Sequence, residues 1–130
     1  MYVQVKQFKD EYPIYSAELL KNGDVLSDID SVITYIHEKI NSHPVATYIG
    51  VFDHYKHTAS LKEGKIAPEV LNAQNIMFCF GKEIVNPEVL AVRPRSLGVV
   101  EYKEHFVISF MKAPNPTAND AIISWVTALT

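Results

Sequence analysis

The spacing of apolar positions changes several times along this chain, and each change marks an element. Residues 2–8 alternate: Tyr2, Gln4, Lys6 and Phe8 fall on one side, and Val3, Val5 and Gln7 on the other. That is strand spacing carried by β-formers. Lys9, Asp10 and Glu11 interrupt it, and residues 14–20 then read as a second strand folding back on the first. Asn22-Gly23-Asp24 is a turn signal. From Ser27 the period becomes helical. Ile29, Val32, Ile33, Ile36 and Ile40 form one apolar stripe, with Asp30, Thr34, His37, Glu38 and Asn41 on the other side. Ser27 can cap the first free N–H groups, and Asp28 and Asp30 suit the positive end of the helix dipole. Pro44 disfavours helical geometry at His43, so the helix should stop near residues 41–42.

Residues 45–52 have the composition of a mostly buried strand. The polar stretch from Asp53 to Asn75 predicts a long connection with one short helix at 68–71, where Pro68 sits in the first turn. The segment Pro-Glu-Val-Leu recurs at 87–90 and reads as two similar Pro-started turns. Strands follow at 76–80, 97–102 and 106–111, the last two as a hairpin turning through Lys103-Glu104. Asn86 can cap a short helix that has Pro87 in first position and must end before Pro94. A last helix starts at Asn115 or Thr117, with Ala118, Ala121, Ile122, Trp125, Val126 and Leu129 on its buried face. Trp125 is expected against Ile33 or Ile36. Hairpins with segregated helices predict one α+β domain over residues 1–130, an antiparallel sheet of about five to six strands with two main helices packed on one face.

Composition narrows the function classes. With 130 residues, of which 48% are hydrophobic, the chain can bury a core without disulfides or metal staples. Twelve basic against fifteen acidic residues argue against a general nucleic-acid binder, which needs clustered positive charge. No apolar run approaches the ~18–20 residues of a membrane helix. The N-terminus has no apolar leader, and the single cysteine, Cys79, can form no internal disulfide. Both features point to a reducing, cytoplasmic setting.

Three groups of residues could carry chemistry. Asp53, His54 and His57 are the most ligand-like, since His at i and i+3 share a helix face and could hold a metal or haem; a polar loop is the plainer reading. Cys79 lies between Phe78 and Phe80 in a strand. It reads as a small buried hydrophobe, or as a thiolate if a histidine or Lys82 is near in space. Arg93 and Arg95 flank Pro94, and in an extended segment they point to the same side. Two adjacent guanidiniums need an acidic partner. Glu88, Glu101 or Asp120 could supply it, as could a partner subunit. The remaining partner is an anionic ligand, carboxylate or phosphate, assisted by Lys82 and by the free N–H groups of the helix that Asn86 opens. The aromatic residues between sheet and helices can line an apolar pocket or simply fill the core.

In residues 76–111 a strand leads to Asn86-Pro87, a short helix closes near Pro94, and a hairpin ends at Pro114. This punctuation resembles the bacterial domain-of-unknown-function family 302. The Arg93-Pro94-Arg95 run and the residues from Lys112 to Pro116 look more like a narrower uncharacterised bacterial family. The resemblance implies a fold of the TATA-binding-protein-like class and a dimer, but no activity and no cofactor. A sheet edge with apolar residues near Val99, Val107 and Phe110 also suggests a homodimer. The leading reading is a small domain that binds a small, anionic ligand or a partner protein. A thiol-dependent enzyme using Cys79 with a histidine, and a metal or haem binder through His54 and His57, are the alternatives.

Overall fold

The computed structural model describes residues 3–9, 11–22 and 26–129. Asp10 of the expected polar break and Gly23-Asp24 of the expected turn lie outside the described residues. A hairpin opens the chain, β1 (Gln4–Phe8) pairing antiparallel with β2 (Tyr12–Leu20). Helix α1 (Ile29–Ser42) follows. Its cap is Asp28, one residue later than Ser27, because the Asp28 carboxylate accepts the Ser31 N–H at 2.9 Å. The chain leaves α1 at His43, whose Nδ1 accepts the N–H groups of Val45 and Ala46, each at 3.1 Å. That turn leads into β3 (Thr47–Asp53).

The polar connection contains a helix where none was expected. Asp53 caps α2 (His54–Ser60) by accepting the Lys56 N–H at 2.9 Å. The helix expected at 68–71 is only a turn, with the Val70 N–H on the Ala67 carbonyl at 3.0 Å. β4 (Asn72–Cys79) starts four residues before its apolar run, since Asn72, Ala73, Gln74 and Asn75 all pair with β5. Backbone pairing carries that polar half, so side-chain character did not mark it. A 3₁₀ helix (Pro87–Val92), β5 (Arg95–Glu101), β6 (His105–Met111) and α3 (Pro116–Ala128) complete the chain.

The sheet has six strands in the order β1-β2-β6-β5-β4-β3, every neighbour antiparallel. This is an α+β fold. Helix α1 carries the chain from β2 to the far edge, and the meander from β3 to β6 brings it back beside β2. One face of the sheet is buried through Ala17 and Leu19, Ile76 and Phe78, Leu97 and Val99, and Phe106 and Ile108. These join the stripe of α1 and the buried positions of α3 in one cluster. Val99 and Phe110, expected at an exposed edge, belong to that cluster, and Val107 is half-buried on the opposite face. The expected dimer therefore loses that reason.

Trp125 is buried in the same core cluster as Ile33 and Ile36, and three rings surround it. It stacks on Phe80 at 5.5 Å and 18°, meets Phe78 edge-on at 5.6 Å, and meets His43 at 6.0 Å. Glu101 is nearly buried in the sheet, and Lys21 reaches it at 2.7 Å, an ion pair that shields both from an unpaired burial. Trp125→Ala should cost about 3–5 kcal/mol, as large-to-small changes in a packed core do. Urea unfolding measures it, and a loss below about 1 kcal/mol would make α3 peripheral to the core.

Candidate functional site

The structure brings Arg93 and Arg95 to one cleft of about 470 Å³. The volume falls in the ~300–1,000 Å³ range of small-molecule sites. One wall is Val89 and Val92 of the 3₁₀ helix, with Phe80 just past β4. The other is the segment from Ala113 to Pro116 and Ala118, where β6 hands over to α3. Each wall exists for a local reason. Asn86 caps the 3₁₀ helix by accepting the Val89 N–H at 3.2 Å, and Pro87 supplies its first turn. Asn115 caps α3 by accepting the N–H groups of Thr117 at 2.8 Å and Ala118 at 3.4 Å. Asn119, buried one turn along, accepts the Ala113 N–H at 3.0 Å and pins the approach to the helix.

Both guanidiniums are held by carbonyl oxygens. Arg95 Nη1 donates to Val92 O at 3.1 Å, and its Nη2 donates to Met111 O at 2.7 Å and Lys112 O at 3.1 Å. Arg93 Nη1 donates to Glu83 O at 2.6 Å. Among the described residues no carboxylate lies within ion-pair distance of either side chain, and Glu101 is engaged by Lys21. None of the internal partners weighed for them, Glu88, Glu101 or Asp120, is used. Burial lowers Arg95 from its ordinary pKa, since a half-desolvated cation without a counter-charge is held at some cost. The absence of a side chain at Gly81 matters here. A Cβ there would lie 3.1 Å from Cys79 Sγ and 3.2 Å from Arg93 Nη1, so a larger residue pushes the guanidinium out of place.

The other candidates fall elsewhere. Lys82 and Asn86 do not line the cleft, and the Val89 amide of the Asn86 helix is already spent on the Asn86 cap. His54 and His57 sit on α2, both exposed, with their rings 5.3 Å and 5.5 Å from that of Phe52. Asp53 beside them is occupied as the helix cap, and among the described residues no three His, Cys, Asp or Glu side chains converge on a metal-sized site. Cys79 is half-buried and its Sγ accepts the Gly81 N–H at 3.2 Å. It pairs with Thr47 at one end of β3, whereas His54 follows Asp53, which pairs with Gln74 at the other end. Five residues of strand separate Gln74 from Cys79, about 17 Å, so neither His54 nor His57 can activate the thiol in this arrangement. A second, shallower concavity of about 670 Å³ lies between Pro68 and His105, where Glu69 and Glu104 outweigh the charge of Lys103.

The contacts of Arg95 are the feature that sequence reasoning missed. The spacing across Pro94 placed the two side chains together, but backbone carbonyls sixteen and seventeen residues away carry no sequence signal.

Comparison with known families matches residues 3–130 to one described as a family of unknown function, DUF6858. The chain belongs to this family. The match spans both the hairpin at the start and α3 at the end, and it lends no support to the likeness with family 302. No curated protein and no solved structure matches the chain. Among the described residues no helix is long and apolar enough to cross a membrane.

Arg95→Lys tests the carbonyl clamp. A lysine ammonium cannot span three carbonyls in the plane that a guanidinium reaches. The substitution should destabilise the fold by about 1–3 kcal/mol, the range for losing hydrogen bonds of a charged group. Denaturant midpoints with an unchanged slope would report it.

Proposed function

We propose that this domain of the DUF6858 family binds a small organic anion between Arg93 and Arg95. The observation that supports the reading is a pair of guanidiniums at an apolar cleft with, among the described residues, no carboxylate to neutralise either one. Each guanidinium has five N–H donors, of which Arg95 gives three hydrogen bonds to carbonyls and Arg93 one. Donors remain on both for a ligand, and the committed ones hold the forks in place. Such preorganisation reduces the ordering cost of binding. A bound anion would also supply the counter-charge that Arg95 lacks.

A thermal-shift panel of phosphates, nucleotides and small carboxylates tests this on the wild type and on Arg93→Ala/Arg95→Ala. At a ligand concentration one hundred times Kd, binding to the folded state adds about 2.7 kcal/mol and raises the melting temperature by several degrees. The double variant should lose that response. If it folds and responds to every anion as the wild type does, the two arginines are structural only.

A further inference from the structure

The chemistry of the cleft narrows the anion to one class, an inference that rests on the anion-binding reading above. We infer that the ligand is an organic monocarboxylate with an apolar body, such as an aryl or short acyl acid, and not a phosphate or nucleotide. Two observations carry this.

The first concerns oxygen count. Phosphate sites commonly add several backbone N–H groups, from a helix start or a glycine-rich nest, to their basic side chains. Here three of the amides near the two helix starts are already used. Asn115 takes those of Thr117 and Ala118, and Asn86 takes that of Val89. No lysine lines the cleft. A doubly charged group with three exposed oxygens would be left short of donors, and short of compensation for its second charge. A carboxylate has two oxygens and a single charge, and the remaining N–H groups of two guanidiniums match it.

The second concerns the walls. Val89, Val92, Pro114 and Pro116 line the cleft together, and the ring of Phe80 adds a flat apolar surface. The apolar surface continues beyond the mouth: Glu83, which accepts from Arg93, is followed by Ile84 and Val85, both more than two-thirds exposed. A sugar or a second charged group would bring polar atoms against these walls without partners. The volume of about 470 Å³ lies within the ~300–1,000 Å³ range of small-molecule sites, room enough for a small aryl or acyl acid.

The single tryptophan supplies the readout. Phe80 lines the cleft on one side and stacks on Trp125 on the other, so a ligand against Phe80 perturbs indole emission. The experiment titrates the full chain with phenylacetate, octanoate, acetate, phenylacetamide, inorganic phosphate and AMP, following Trp125 fluorescence, with calorimetry as a second measure. Phenylacetate and octanoate should bind saturably, at least about tenfold tighter than acetate, because the apolar body adds buried area. Phenylacetamide, of the same shape without the charge, should bind at least about tenfold more weakly than phenylacetate. Arg93→Gln should weaken phenylacetate by about tenfold or more. It is a cleaner variant than a change at Arg95, which also ties β5 to the 3₁₀ helix and to the carbonyls at the end of β6. Binding of phosphate or AMP without phenylacetate overturns the carboxylate assignment and leaves the anion reading standing. Equal binding of phenylacetamide and phenylacetate, or no binding by any probe, overturns both.

Discussion

The ladder between β2 and β6 joins two parts of the chain that are otherwise held mainly by the helices. It runs from Ile14 opposite Met111 to Leu20 opposite His105. On one side lies the N-terminal hairpin, and on the other the meander from β3 to β6. Without this pairing β2 would be an uncovered edge, and Ala17 and Leu19 would have no sheet to extend. With it, one continuous apolar face forms, wide enough for α1 and α3 to lie on together. The pairing is also the most distant in sequence, so its loop-closure entropy is offset only when the whole face is buried. Sheet closure and core burial are therefore one cooperative event.

The end of that ladder is where the candidate site sits. Past Met111 the chain must turn off the sheet and begin a helix, and where it is buried, at Ala113, its peptide groups cannot be left unpaired. Four residues solve this. The Lys112 N–H donates to the Pro13 carbonyl at 3.0 Å, Asn119 accepts from Ala113, Asn115 caps α3, and Arg95 gathers the Met111 and Lys112 carbonyls. The guanidinium of Arg95 is thus part of the fold's polar accounting, and its position is set by the backbone of another strand. Among the described residues no carboxylate pairs with this half-buried cation, and carbonyl dipoles stand in for a counter-ion.

The apolar surfaces around the cleft follow from the same local grammar. Pro114 and Pro116 end the strand and start the helix, and Pro87 starts the 3₁₀ turn. Each leaves a ring on the surface where a longer side chain would have filled the gap. Phe80, no longer in β4, is free to cover Trp125 from outside the core. The cleft is the seam between the 3₁₀ helix and the start of α3, and the arginines lie along it because Pro94 sends the chain from that 3₁₀ helix into β5.

Much of this was written in local sequence. The stripe of α1, the alternation of β2, β5 and β6, and the buried face of α3 each follow from periodicity, because side-chain burial on a regular backbone repeats with the backbone's own period. The adjacency of Arg93 and Arg95 follows from their spacing across Pro94. What escaped were elements stabilised by something other than their own apolar pattern. The polar half of β4 is a strand because β3 and β5 flank it, and α2 is a helix because Asp53 caps a run with little apolar signal. The partners of the arginines, the separation of Cys79 from the two α2 histidines, and the gathering of the Phe78, Phe80 and His43 rings around Trp125 were decided only by tertiary structure. Periodicity assigns a residue to a face, whereas the partner it meets there depends on the order of strands and the closing of β6 on β2, which no single segment encodes.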